Sequence, residues 1–114
     1  MNDPVIHNAY IAPTATVVGD VILEKDVNIW YGAVLRGDAG TIRVGEGTNI
    51  QDVAVLHEEV TVGKGCTIGH GAIVHGCTIG DNCVIGANTV VKGEIPANSI
   101  VYQERCNIIK IREK

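Results

Sequence analysis

At 114 residues the chain has room for one domain of ordinary size, read here as a single unit over residues 1–114. Hydrophobic residues make up 46% and charged residues 19%, which excludes a disordered chain, and no apolar run approaches the roughly 18 residues of a membrane span. A formal charge of −4 with no Lys/Arg cluster excludes a nucleic-acid surface and points to a small partner.

The start, Met1-Asn2-Asp3-Pro4, lacks the basic and apolar stretches of a signal peptide, so a soluble, cytoplasmic protein is expected. Cys66, Cys77, Cys83 and Cys106 form neither a CxxC metal pair nor a redox motif, and free thiols are expected in a reducing compartment. Valine and isoleucine dominate the apolar inventory, leucine is scarce and phenylalanine absent. Such β-branched side chains favour pleated, extended backbone. Fourteen glycines demand short strands and frequent corners.

In chain order, an aliphatic residue recurs every six positions through Val5, Ile11, Val17, Leu23, Ile29 and Leu35. The pattern resumes through Val44, Ile50, Leu56, Val62, Ile68 and Val74, and after one five-residue step through Ile79, Ile85 and Val91. Four positions after most anchors stands a small or β-branched residue, among them Ala33, Thr48, Ala54, Cys66, Ala72, Cys83 and Thr89, which belongs inside a narrow prism. A hexapeptide cannot bury its own apolar face, but three make one triangular coil, and stacked coils share a core. The expected fold is all-β, about five triangular coils. The pattern resembles the left-handed parallel β-helix proteins, and the handedness is taken from that resemblance.

Two interruptions stand out. Between Leu35 and Val44, three extra residues within Arg36-Gly37-Asp38-Ala39-Gly40-Thr41 predict a small protruding loop. From Gly93 the tail is expected to leave the pattern, with Val101 to Lys114 a short helix or a final strand.

Residues one coil apart stack about 4.8 Å above one another. One column reads Val18, Arg36, His57, His75, Lys92, so two imidazoles become neighbours able to share one ion at the ~2.0–2.1 Å of a Zn–N bond. Asp52 and His70 share a column on the adjoining face, with Gln51 beside it. His70 cannot easily reach the first pair within its own chain, but a symmetry-related copy can present it, and a three-sided prism suits a three-fold assembly. The spacing alone leaves a metal site and a solvated histidine pair both open. His7, without a partner, receives no role, and His57-Glu58-Glu59 is no zinc-protease motif because Thr61 stands where its second histidine would be.

The run Ile29-Trp30-Tyr31-Gly32-Ala33-Val34-Leu35-Arg36-Gly37-Asp38, with Asn49-Ile50-Gln51-Asp52, Val55-Leu56-His57 and Gly69-His70-Gly71-Ala72-Ile73-Val74-His75-Gly76-Cys77, resembles the gamma-class carbonic anhydrase family. The resemblance implies a homotrimeric lyase that hydrates CO2 to bicarbonate. Its metal is Zn2+, with Fe2+ or Co2+ as alternatives, held by His57 and His75 of one chain and His70 of the next. It further implies that Arg36 and Asp38 organise the interface and anion site, that Asp52 supports them, and that Gln51 hydrogen-bonds the solvent or bicarbonate at the metal. Glu58 or Glu59 is a candidate proton carrier. Ala39 stands where family members carry a glutamate, the usual loop after His57 is missing, and about one coil before Ile95 is absent. Two other classes stay in play: a hexapeptide acyltransferase using one histidine as base, and a metal-binding or scaffold trimer of weak activity.

Overall fold

A computed structural model describes residues 2–103. Twelve parallel strands wind into a solenoid: β1 (Val5–Ile6), β2 (Tyr10–Ile11), β3 (Thr16–Leu23), β4 (Asn28–Ile29), β5 (Val34–Val44), β6 (Asn49–Ile50), β7 (Val55–Val62), β8 (Thr67–Ile68), β9 (Ile73–Ile79), β10 (Val84–Ile85), β11 (Val90–Ile95) and β12 (Ile100–Val101). Odd strands stack in the order β1-β3-β5-β7-β9-β11 and even strands in the order β12-β10-β8-β6-β4-β2, one coil above the next. The longer odd strands bend through a corner and supply two sides of the prism, and the even strands supply the third. Among the described residues there is no helix, hence none long and apolar enough to cross a membrane.

The hexapeptide anchors form the core because successive strand residues point to opposite faces and only one direction leads inward. Leu23, Ile29, Leu35, Val44, Ile50, Leu56, Val62, Ile68, Val74, Ile79 and Ile85 are buried, with the small residues Ala33, Ala54, Cys66, Ala72 and Cys83 filling the remaining space. At the N-terminal end the count is off by one. Ile6, not Val5, pairs with Leu23, and with no coil beyond it that turn stays exposed.

Two further expectations are corrected. The excursion is present, but Gly37–Thr41 runs in extended backbone inside β5 as a bulge rather than a loop. Thr41 donates its hydroxyl to Asp20 Oδ2 at 2.7 Å and ties it to the neighbouring coil. The chain does not leave the pattern at Gly93: Gly93, Glu94 and Ile95 pair with Cys77, Thr78 and Ile79, and Ile100 and Val101 pair with Val84 and Ile85. This last coil is shorter, so its anchors Ile95 and Val101 fall out of step with six. Cys77 pairs with Val60 after a one-residue deletion and is buried in the core, as Cys66 and Cys83 are at another corner. The proposed tail helix or strand beyond residue 103, and Cys106, lie outside the described residues.

Candidate metal centre

Arg36, His57 and His75 are in register on β5, β7 and β9. Each follows a buried anchor by one residue, so all three side chains point outward on one face. The imidazole centroids of His57 and His75 lie 5.5 Å apart with the rings inclined by 40°. Asp38 Oδ1 stands 3.5 Å from His57 Nε2, while Arg36 Nη2 donates to Asp38 Oδ2 at 2.9 Å. That hydrogen bond from Arg36 holds the Asp38 carboxyl below the usual carboxylate range.

Glu58 turns its carboxylate toward the pair, with Oε1 3.3 Å from His75 Nε2. One potential ligand atom from each of His57, Glu58 and His75 falls within 4.8 Å of the others. Two imidazoles and a carboxylate are a donor set that suits a borderline divalent ion such as Zn2+, so the residues present fit the implied metal. Glu59 is exposed and lies outside this cluster.

The remaining candidates gather on another corner. Gln51, Asp52 and His70 line a hollow of about 240 Å³ with Trp30 and Asn49. The coils are knit there by main-chain bonds, Gly71 N–H to Asp52 O at 2.9 Å and Asn88 N–H to His70 O at 2.8 Å. Trp30 is steered by its indole N–H, which donates to Asn28 Oδ1 at 2.8 Å, and by edge contact with Tyr31. Asn49 Oδ1 is buried with no partner among the described residues. The nine predicted residues therefore divide into Arg36, Asp38, His57, Glu58 and His75 on one face, Gln51, Asp52 and His70 on another, and Glu59 apart. Sequence spacing missed the approach of Glu58 to His75. The available signal was that Gly19 and Gly76 occupy the slot that Glu58 fills, one residue after Val18 and His75.

Fold and site together define a hexapeptide-repeat solenoid with a stacked histidine pair. The hexapeptide repeat family of succinyl-transferase matches residues 59–92. Gamma carbonic anhydrase 1, mitochondrial, of Arabidopsis thaliana is 46% identical over 78 residues, covering 60% of this chain and 28% of that protein. Carnitine operon protein CaiE of Escherichia coli is 45% identical over 78 residues, covering 64% of this chain and 40% of that protein. The chain thus spans less than half the length of both curated relatives. The crystal structure of a hexapeptide transferase family protein from Anaplasma phagocytophilum superposes with a TM-score of 0.75 at 33% identity, covering 97% of this chain and 80% of that one. The chain belongs to the hexapeptide-repeat superfamily that includes the gamma-class carbonic anhydrases and the hexapeptide transferases.

Proposed function

We propose that residues 1–114 act as one repeat domain that assembles as a homotrimer and hydrates CO2 to bicarbonate. In this reading Zn2+, or Fe2+ or Co2+ in its place, is held by His57 and His75 of one copy and His70 of the partner subunit. The observation that carries the reading is the in-register His57–His75 pair on one face, with Gln51, Asp52 and His70 grouped on another. A three-fold contact joins two different faces of the same chain and so can bring these half-sites together.

The ion, when bound, supplies Lewis acidity and a hydroxide nucleophile at neutral pH. The chain's own residues do the rest. Gln51 offers an amide N–H to an oxygen of the forming bicarbonate and orients it. Arg36 fixes Asp38 beside His57, and Asp52 steadies the neighbouring corner. The net reaction releases one proton, and the Glu58 carboxylate, facing His75 Nε2, is placed to pass it to bulk water, with exposed Glu59 next along the chain. Buried thiols at Cys66, Cys77 and Cys83, all unpaired by disulfides, suit the proposed cytoplasmic setting.

Stopped-flow CO2 hydration on the fully metallated protein tests this. Ala39 carries no proton and the chain resumes its strand at Val60 without a lid, so turnover should rise with the concentration of a small buffer. No rate above background at any buffer concentration would remove the enzyme reading. The likeness to a hexapeptide transferase family protein supports the second reading, an acyltransferase, which leaves the Gln51 and stacked-histidine arrangement without a task. Transfer from an acyl-CoA with no CO2 hydration would decide for it. Absence of both activities with metal still bound would decide for the scaffold.

A further inference from the structure

On this face the slot after Val18, His57, His75 and Lys92 is a corner in left-handed backbone, whereas after Arg36 the bulge of β5 takes its place. Gly19 occupies it at φ 82 and Gly76 at φ 54, but Glu58 occupies it at φ 68. A side chain there is disfavoured, because its Cβ crowds the backbone in a way that glycine avoids. Local sterics therefore favour glycine at 58, and a glutamate kept in such a conformation calls for a role outside the fold.

Its carboxylate supplies one. Oε1 lies 3.3 Å from His75 Nε2, and a tetrahedral ion with ligand bonds of ~2.0–2.1 Å separates its ligand atoms by about 3.3–3.4 Å. Two donors already stand at the edge length of a tetrahedron, with a nitrogen of His57 inside the same 4.8 Å cluster. Asp38 also approaches His57, but its other oxygen is engaged by Arg36. Glu58 carries no such partner in the described set and adds a negative charge that two neutral imidazoles lack.

Resting on the metal-site reading above, we infer that Glu58 is itself a metal ligand, so that a single chain holds the ion through His57, Glu58 and His75 without His70 of the partner subunit. When His70 of the partner subunit then completes the shared three-histidine site, it takes the place of the Glu58 carboxylate, which keeps the fourth position open and frees Glu58 for proton transfer.

Equilibrium dialysis with Co2+ alone, together with its visible absorption, tests this on the full chain. His70→Ala should still bind one Co2+ per chain with a four-coordinate spectrum. Adding Glu58→Gln to that variant should weaken binding by about tenfold or more, since even residues that only support ligands cost 10–100-fold. Glu58→Gly in the same background should lose the ion equally while melting no lower than its parent without metal, which separates a lost ligand from a lost fold. If His70→Ala alone abolishes binding, or if either Glu58 variant leaves it unchanged, Glu58 is no ligand although the shared site stands. If the unaltered protein binds no Co2+, or if His75→Ala binds as well as it does, the metal-site reading itself fails.

Discussion

Val53 stands at φ 54 with its β-branched side chain 58% exposed, between Gly32 at φ 70 and Gly71 at φ 66 in the same corner column. Left-handed backbone costs an L-residue about 1–2 kcal/mol, and a branched Cβ makes it worse. The next coil uses Asn88 at φ 57, a residue type that tolerates this region. Val53→Asn is therefore expected to stabilise the protein by about 1 kcal/mol, read as a higher denaturant midpoint at unchanged slope. Neither Val53 nor Glu58 is itself the usual sign of this conformation, glycine or asparagine, and only their column neighbours, Gly32, Gly71 and Asn88 for the one and Gly19 and Gly76 for the other, carry it. Gly37 within the Arg36-Gly37-Asp38 run is legible only in the structure: a Cβ there would sit 2.5 Å from the Asp20 backbone, so the motif's glycine serves coil stacking. Its neighbour Asp38 carries a pH prediction. Its carboxyl is held low chiefly by the hydrogen bond from Arg36, so its folded pKa lies below the unfolded one. The stabilisation is present above the unfolded value and fades as pH falls through the folded one. Arg36→Met should return the Asp38 titration, followed by NMR, toward the ordinary carboxylate range.

Along the elements, one inward column runs Thr48, Cys66, Cys83, and its small polar atoms link coil to coil. Thr48 Oγ1 donates to Gly63 O at 2.7 Å and accepts from Cys66 N–H at 3.0 Å. Cys66 Sγ donates to Gly80 O at 3.1 Å and accepts from Cys83 N–H at 3.4 Å, and Cys83 Sγ donates to Pro96 O at 3.1 Å. Burial pushes the Cys66 and Cys77 thiols up, so they stay protonated and inert. Thr48→Val keeps the volume but leaves a buried amide and a carbonyl unpaired, for an expected loss of about 2 kcal/mol in chemical denaturation. Thr48→Ser keeps the hydroxyl and gives up one methyl, at about 1 kcal/mol. The hexapeptide rhythm made most of this column readable, since Thr48, Cys66 and Cys83 each lie four residues past an anchor. The count followed the five-residue step from Val74 to Ile79 but could not say where within it the deletion falls, which is what turns Cys77 inward, and it did not follow the shorter step from Val91 to Ile95 that makes the last coil. The bulge in β5 was located by the same count, yet its extended backbone depends on pairing with neighbouring coils that local sequence does not encode.

At the scale of the whole molecule, the histidine face carries a second outward column beside the first. Thr16, Val34, Val55, Ile73 and Val90 are in register, two residues before Val18, Arg36, His57, His75 and Lys92. Ile73 is 41% exposed and Val90 56%, which is apolar surface left open on the face that bears the charged groups and the histidine pair. The proposed trimer covers this column and carries the corner of Gln51, Asp52 and His70 to the histidine pair. Light scattering at micromolar concentration should accordingly give three times the 12.1 kDa chain mass. Ile73→Glu places a charge in the middle of the apolar column without touching the core, because Ile73 points outward between the buried Ala72 and Val74. The variant should keep its far-UV spectrum, dissociate to monomers and lose CO2 hydration, since Gln51 and His70 then no longer face the histidine pair. A trimer that survives Ile73→Glu would place the interface on another face, and a monomeric unaltered protein at these concentrations would remove the shared site altogether.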